Sequence, residues 1–141
     1  MTQPRLVPVL LLKHGLIVRS QRFQIHQVIG NPMSTVERFS NWQVDELVIL
    51  NISPDDRHDL RRDDLQRNYS GTTFEHVLEN ITEVCHIPLI IGGRVRSLAH
   101  IESRLMLGAD RVSINTAAVE NPALIDEAAR AFGSQCIVVS I

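Results

Sequence analysis

The chain has 141 residues, of which 44% are hydrophobic and 21% are charged, and its formal net charge at pH 7 is −2. This composition is typical of one globular domain, and the small negative charge with only 4% aromatic residues argues against binding to nucleic acid or to an anionic membrane surface. No apolar run reaches the roughly 18 residues of a membrane helix, and residues 1–5 lack the pattern of a signal peptide, so we expect a cytoplasmic protein.

Five short apolar runs are predicted to be β-strands, because each is continuous and therefore suited to burial on both faces. These runs are 6–12, 46–50, 87–91, 111–114 and 136–139. The residues between the first run and Asn31, which include Arg19, are interpreted as a loop. Between successive runs lie four segments with apolar residues at helical spacing, beginning near Asn31, Thr72, Ser97 and Asn121. The polar stretch 53–70 is interpreted as a mobile surface loop.

The strict alternation of strands and helices predicts an α/β fold with a parallel sheet. Two architectures fit this order, a doubly wound open sheet and part of a (β/α)8 barrel, and strand spacing does not distinguish them. A short internal similarity relates 44–49 to 109–114, where an Asp precedes each strand. It indicates either a repeated βα unit or the convergence of two similar turns.

The predicted carboxyl ends of the third and fourth strands carry a candidate ligand site. Gly92 and Gly93 directly follow one strand, and Asn115 and Thr116 follow the next. In parallel α/β folds ligands bind at this edge, where backbone amides and small polar side chains hold phosphate groups. An equally good interpretation is a tight turn at the glycines that Asn115 caps. Arg19 is a further candidate for holding a phosphate or carboxylate, although most surface arginines bind no ligand.

The sequence lacks the patterns of several common sites. The six histidines and two cysteines show no metal-ligand spacing, so we expect neither a metal nor a cofactor. Cys85 and Cys136 are interpreted as buried reduced thiols. None of the first four strands ends in a carboxylate, since Leu11 and Leu12 end the first and Asn51 follows the second. General acid–base catalysis by Asp or Glu therefore has no evident agent.

Longer motifs, in order along nearly the whole chain, resemble the cyclase subunit of imidazole glycerol phosphate synthase. They are PVLLLKHG at 8–15, VDELVILN at 44–51, IPLIIGGRVRS at 87–97, GADRVSINTAA at 108–118 and FGSQCIVV at 132–139. The resemblance implies the amino-terminal half of a HisF-like (β/α)8 TIM barrel of the ribulose-phosphate-binding type, with residues 1–141 as a single truncated domain of about four and a half βα units. It also implies a phosphorylated sugar-like substrate at the strand carboxyl ends. Ammonia would arrive through the barrel interior from a glutamine amidotransferase subunit at the opposite face.

The resemblance also assigns roles to individual residues. The residues at the positions of the family's first phosphate site are Gly92, Gly93, Asn115 and Thr116. Arg94 replaces a third glycine of that turn, and Arg19 replaces a Lys that contacts the substrate from a mobile first loop. The residues at the positions of a charged gate around the ammonia entrance are Arg5, Glu46 and Arg111, the last in place of a Lys. Asp110 matches an acidic residue of the glutaminase interface.

The departures from the family concern catalysis. Leu11 stands where the family has its first catalytic Asp, and the second would follow the fifth strand, beyond residue 141. Leucine cannot transfer a proton, so no catalytic residue is intact and cyclisation should be lost or impaired. The first strand resembles more closely a divergent branch that occurs with surface-polysaccharide genes and supplies ammonia for amidination of an acetamido sugar. We favour that function over two alternatives: the cyclase, a lyase of histidine biosynthesis, and a non-catalytic module that binds a phosphorylated ligand or an amidotransferase.

A half barrel would leave the edges of the first and fifth strands open. Open parallel edges favour self-association, because their backbone groups remain available for pairing. We therefore expect that the 141-residue chain, if it is stable, forms a homodimer that completes a barrel-like core.

Overall fold

The computed structural model describes residues 3–58 and 73–141. Within these ranges one sheet has the strand order β3-β2-β1-β4-β5-β6-β7. The strands are β1 Val9–Lys13, β2 Leu16–Gln21, β3 Ile25–Gly30, β4 Leu47–Asn51, β5 Leu89–Gly92, β6 Arg111–Ile114 and β7 Ile137–Val139. The α-helices are α1 Pro32–Asn41, α2 Phe74–Val84, α3 Leu98–Met106, α4 Thr116–Glu120 and α5 Ala123–Phe132, and a 3-10 turn spans Ser134–Cys136.

Strands β1, β4, β5, β6 and β7 lie side by side in that order, and each pairs in parallel with the next. This arrangement confirms the predicted α/β class and is that of a partial (β/α)8 barrel, because each parallel neighbour is reached through a helical connection. Strand ends that are distant in sequence therefore converge at two edges of the sheet.

The two faces of the sheet differ in burial. Alternate residues of β1 and β4 are buried beneath α1 and α2, as Leu12 and Ile49 show with no exposed surface. Residues on the opposite face remain open: Val9 is 56% exposed, and Leu11 and Val48 are half-buried. In a closed barrel this second face forms the interior, so it is the face that further structure would cover.

Helices α1 and α3 begin where the sequence predicts them, for local reasons, whereas the short helix α4 was not predicted. Asn31 caps α1 by accepting a hydrogen bond from the Ser34 amide at 3.0 Å, and Pro32 opens the first turn. Ser97 caps α3 in the same way through the His100 amide. These caps satisfy backbone donors that have no partner inside the helix.

The segment after β1 is not the predicted loop. His14 and Gly15 both have positive φ, 51° and 84°, which is the geometry of a two-residue hairpin turn with a right-handed twist. Strand β2 consequently folds back onto β1 in antiparallel pairing, and β3 pairs with β2. The predicted open edge at strand one is therefore wrong, because β2 covers the Leu11–Lys13 part of β1.

The polar stretch predicted as a mobile surface loop falls mostly outside the described residues, from residue 59 to residue 70. In its described part, Ser53 and His58 are only 3% and 2% exposed, so these two side chains belong to the interior. Within 3–58 and 73–141, no helix is long and apolar enough to cross a membrane.

Candidate functional site

A cavity of about 400 Å³ lies at the carboxyl ends of the parallel strands, and we call it the strand-end cavity. It brings together four of the residues singled out in the sequence: Leu11, Gly93, Asn115 and Thr116. Asn51 and Ser113 add neutral polar groups to its wall. No carboxylate is present among its described lining residues, so its chemistry is that of neutral donors beside two arginines.

The two glycines have a close-packing role that does not depend on a ligand. A Cβ atom on Gly93 would lie 2.1 Å from the Asn51 carbonyl oxygen, and Gly93 has φ +89°. A Cβ atom on Gly92 would lie 2.7 Å from Leu50 and 2.9 Å from Ser113. The glycines thus make the tight turn of one sequence interpretation, and this turn brings the Gly93 backbone to the cavity while Gly92 remains in β5; phosphate binding at the turn stays a prediction.

Asn115 lies at the start of a helix that was not predicted from the sequence, and no side-chain hydrogen bond between Asn115 and the glycine turn is seen among the described residues. It precedes α4, but its side chain makes no capping hydrogen bond. Asn115 and Thr116 are both exposed at the cavity rim. Their amide and hydroxyl groups are therefore available to a phosphate oxygen, which is the role that the resemblance assigns to them.

Arg94 occupies the third position of the glycine-rich turn, where the resemblance implies a glycine. Its φ of +56° is in the left-handed region, where glycine is favoured, so the backbone of this turn keeps a glycine-like shape. The side chain turns back toward β4, and Nη1 donates to the Ser53 carbonyl oxygen at 3.0 Å. The guanidinium group thus brings a positive charge to the rim of the strand-end cavity.

Leu11 lies at the cavity on the open face of β1, between Val18 of β2 and Leu50 of β4. Its neighbours are apolar, and it offers no group that can donate or accept a proton. Asn51 is 3% exposed, and its Oδ1 atom accepts from the Ser53 amide at 3.1 Å, so this side chain shapes the turn after β4.

Arg19 is not brought to the strand-end cavity. It lies in β2 opposite Gln27 of β3, and it lines a separate shallow cavity of about 150 Å³ with Gln21 and Ile25. The expectation of a loop arginine is wrong because the antiparallel pairing fixes this position within a strand. The hairpin instead places Phe23, 76% exposed, against the strand-end cavity.

Arg5, Glu46 and Arg111 form one cluster at the opposite edge of the sheet, and we call it the gate cluster. Glu46 is 4% exposed and accepts hydrogen bonds at Oε1 from Arg5 and from Arg111 Nη2, the latter at 3.0 Å. Glu46 precedes β4 and Asn51 ends it. The gate cluster and the strand-end cavity are thus separated by the length of a strand, roughly 16 Å at 3.3 Å per residue.

Asp110 has a structural contact in addition to the interface role expected for it. Its Oδ2 atom accepts from the Leu89 amide at 2.8 Å and so joins the beginnings of β5 and β6. Asp45 makes the same contact with the Leu6 amide at 2.6 Å, next to β1 and β4. The short internal similarity seen in the sequence therefore has a structural counterpart, because both aspartates connect adjacent strands in the same way.

Two buried ionisable side chains lie beside the site but were not selected from the sequence. Arg104 is 6% exposed, and burial lowers its pKa. His58 is 2% exposed, and burial also lowers its pKa, partly offset by the nearby carboxylate of Asp56. A signal for Arg104 was present, because it lies three residues after Ile101 on the buried face of α3.

Within residues 3–58 and 73–141, no group of three or more His, Cys, Asp or Glu side chains is arranged to hold a metal ion. Cys85 and Cys136 are free and half-buried, and burial raises the pKa of the Cys85 thiol. The chemistry available among the described lining residues of the strand-end cavity is therefore that of amide, hydroxyl and guanidinium groups.

Comparison with known proteins places these features in a family. A model described as "Histidine biosynthesis protein" matches residues 5–141. Two relatives named "Putative imidazole glycerol phosphate synthase subunit hisF2", from Vibrio vulnificus and Campylobacter jejuni, are 36% and 37% identical over the whole chain, which covers 47% and 52% of their lengths. "Imidazole glycerol phosphate synthase subunit HisF" from Exiguobacterium sp. is 40% identical over the whole chain and 51% of its own length. The chain thus spans about half the length of the curated relatives it matches.

Proposed function

Because the chain belongs to the family of histidine biosynthesis proteins, we propose that it forms the amino-terminal part of a HisF-like barrel subunit that receives ammonia from a glutamine amidotransferase. In this proposal ammonia enters at the gate cluster and is used at the strand ends. The proposal accounts for the charged residues at one edge and for the anion-binding groups at the other.

One observation supports the proposal most directly: the strand-end cavity is lined by Gly93, Asn115 and Thr116, to which the resemblance assigns phosphate binding, but by no carboxylate among its described residues. Phosphate recognition needs donors such as Gly93, Asn115 and Thr116, whereas cyclisation needs groups that move protons. Leu11 occupies the position where such a group is expected. A subunit that holds a ligand and conducts ammonia, without acid–base catalysis of its own, fits this combination.

The gate cluster supports the ammonia role independently. Glu46 is buried and accepts hydrogen bonds from two arginines, so side chains rather than backbone would form the ammonia entrance that we propose here. Arginine side chains can change rotamer without unfolding the sheet, which allows such an entrance to open. A glutaminase docked at this edge would face Arg5 and Arg111, which are 57% and 39% exposed.

We infer that the product of the complex is an amidinated acetamido sugar of polysaccharide biosynthesis. The basis is Leu11 in place of the expected catalytic Asp, together with the resemblance of the first strand to the divergent branch that occurs with surface-polysaccharide genes. The cyclase of histidine biosynthesis is the second candidate, because a HisF relative is 40% identical to the chain. The absence of a carboxylate among the described residues of the strand-end cavity favours the first.

We propose further that residues 1–141 act as one domain whose open sheet face is completed by additional structure. Val9 is 56% exposed on that face, and Leu11 and Val48 are half-buried. For the 141-residue chain alone, the proposed cover is a second copy. Size-exclusion chromatography with light scattering measures this directly: a dimer is expected, and a stable monomer with this face exposed would contradict it.

The ammonia role is tested by mixing the chain with the glutamine amidotransferase of the same organism and measuring glutamate release. We expect glutaminase activity to rise, and we expect Glu46→Gln to reduce that rise because the gate cluster loses its central charge. Glu37→Gln, an exposed residue of α1, is the matched control and should have no effect. An unchanged glutaminase rate with the wild-type chain would count against the proposal.

The product class is tested by supplying ammonia to the complex with two kinds of acceptor. Amidination predicts that an acetamido sugar, in the presence of its sugar amidotransferase, gains nitrogen. Turnover of the ribulosyl substrate of the cyclase instead would favour the second candidate. Phosphate-ligand binding with no product from either acceptor would favour the non-catalytic module.

A further inference from the structure

A second and larger cavity, of about 580 Å³, lies beside the strand-end cavity. Three arginines and a histidine line it, and we call it the arginine cavity: Arg94, Arg96, His100 and Arg104. The loops after β4 and β5 form part of its wall, and the first residues of α2 close another side. The two cavities share Arg94 and Arg96, but Arg104 lines only the larger one.

Arg104 is the most informative residue of this cavity. It is 6% exposed, and its guanidinium group lies 5.3 Å from the centre of the Phe74 ring. Nη1 donates to the His100 carbonyl oxygen at 2.9 Å and Nη2 to the Gly93 carbonyl oxygen at 3.0 Å. Its Nε atom is buried without a hydrogen-bond partner among the described residues. The guanidinium is thus held in one orientation by neutral groups, while its positive charge forms no salt bridge within the described part of the chain.

The carboxylates at the cavity do not cancel this charge. Asp56 and Glu75 both line the cavity, against three guanidinium groups. Asp56 Oδ1 already accepts from the Phe74 amide at 3.0 Å and lies 3.6 Å from His58 Nε2. Burial remains the largest influence on the pKa of Arg104, which is lowered although both carboxylates act to raise it. A buried cation in this situation gains free energy when an anion approaches it.

We propose that the arginine cavity is an anion-binding site for a phosphoryl group, separate from the phosphate-binding groups of the strand-end cavity. Guanidinium groups present paired N–H donors that match the oxygens of phosphate and diphosphate. Arg94 and Arg96 are exposed and reach the cavity from the loop after β5, so they close on an anion whose inner oxygens face Arg104. The volume exceeds that of a single phosphate group, which favours a diphosphate or a phosphorylated small molecule.

This site does not require that the protein transfers ammonia. If the ammonia role fails, the three arginines still surround the same cavity. The two anion sites are also separable by mutation, because Asn115 and Thr116 line only the strand-end cavity and Arg104 lines only the arginine cavity.

The test is calorimetric titration of the 141-residue chain with inorganic pyrophosphate at constant ionic strength, accompanied by NMR of the arginine Nε–H groups. We expect saturable binding and a shift of the Arg104 Nε–H resonance, since an anion bound in the cavity that Arg104 lines changes the electric field at its guanidinium group. Arg104→Lys should weaken binding at least about tenfold, because the paired donors are lost while the charge is kept. Arg96→Gln changes an exposed residue, so it leaves the fold intact and should weaken binding about threefold to tenfold.

Two control variants test whether pyrophosphate binds in the arginine cavity and not elsewhere on the chain. Arg38→Gln, at an exposed position in the last turn of α1, should leave pyrophosphate affinity unchanged. The double variant Asn115→Ala with Thr116→Val should also leave the shift of Arg104 Nε–H unchanged. The proposal is overturned if pyrophosphate does not bind, if Arg96→Gln and Arg104→Lys bind it like the wild type, or if the double variant abolishes the shift at Arg104.

Discussion

The two ends of the parallel strands differ in how their charges are satisfied. At the amino-terminal end, Glu46 accepts from two arginines, and Asp45 and Asp110 accept from backbone amides of adjacent strands. At the carboxyl-terminal end, the described groups around the two cavities are neutral donors and arginines in excess of carboxylates. The first end is electrostatically complete within one chain, whereas the second end gains from an added anion. Charge at the first end therefore contributes to stability, and the functions we propose for the two ends are docking at the first and anion recognition at the second.

The largest effect on the free energy of unfolding is expected at the carboxyl-terminal end of the strands. It comes from close packing of the backbone and not from charge. Gly93→Ala should lower the free energy of unfolding by more than about 3 kcal/mol, because the new Cβ would meet the Asn51 backbone at a residue with φ +89°. Urea denaturation followed by circular dichroism measures this change. Gly30→Ala is the matched control, since its Cβ would lie 3.1 Å from the adjustable Thr35 side chain, and it should cost less than about 1 kcal/mol. Equal losses would show that the turn at Gly93 is not the constraint.

The next effect concerns the amino-terminal end. Glu46→Gln should lower the free energy of unfolding by about 2 kcal/mol, because two charge-assisted hydrogen bonds to a buried carboxylate are weakened and two arginines are left close together. The same denaturation experiment with Glu37→Gln should show a change within about 0.5 kcal/mol, as is usual for an exposed position. If Glu46→Gln changed the free energy of unfolding as little as Glu37→Gln does, the hydrogen bonds of Glu46 to the two arginines would not stabilise this end of the sheet.

A smaller effect on stability distinguishes the two roles considered for Asp110, which are the connection of two strands and contact with a glutaminase. Asp110→Ala should lower the free energy of unfolding by about 1 kcal/mol through loss of the hydrogen bond from the Leu89 amide. Asp45→Ala, which removes the equivalent bond from Leu6, should cost a similar amount. Only Asp110→Ala is expected to reduce glutaminase stimulation as well. Unchanged stability in both variants would contradict the strand-connecting role.

The smallest effect is a dependence of stability on pH that originates near the cavities. Burial holds the pKa of His58 below its ordinary value of 6.5, so the unfolded chain binds a proton more readily than the folded chain. The contribution of His58 to stability is thus present above pH 6.5 and is lost as the pH falls below it. Urea midpoints at pH 7.5 and 5.5 should differ more for the wild type than for His58→Gln. The same difference in both proteins would assign the pH dependence to other groups.

Most of the parallel sheet was predictable because its signals are local. Continuous apolar runs marked β1, β4, β5 and β6, and capping residues such as Asn31 and Ser97 marked the starts of helices. The hairpin was missed for a physical reason: its second turn places Arg22 and Phe23 at positive φ, 54° and 55°, without the glycine or asparagine that usually indicates such a turn. The first turn did carry a signal in Gly15, which directly follows a strand.

The residues of the candidate site also include some that the sequence predicts and some that it does not. Gly93, Asn115 and Thr116 could be placed together from the sequence, because parallel strand ends meet at one edge whatever the details of packing. The helical spacing of Arg104 from Ile101 indicated that its side chain is buried, but its place at the cavity could not be predicted, because it depends on contacts with Phe74 and the Gly93 carbonyl, which are distant in sequence. Contacts set by topology were predictable, and contacts set by the packing of individual side chains were not.

The antiparallel hairpin also affects the order in which the chain folds. Leu11 pairs with Val18, a partner only seven residues away, whereas Leu12 pairs with Asn51, thirty-nine residues away. Closing a short loop loses less chain entropy than closing a long one, so the first strand finds a neighbour well before its parallel partner is available. The β1–β2–β3 meander therefore loses less chain entropy on forming than the parallel pairings do, and its β1 edge is available as a template for the βα units that pair with it later.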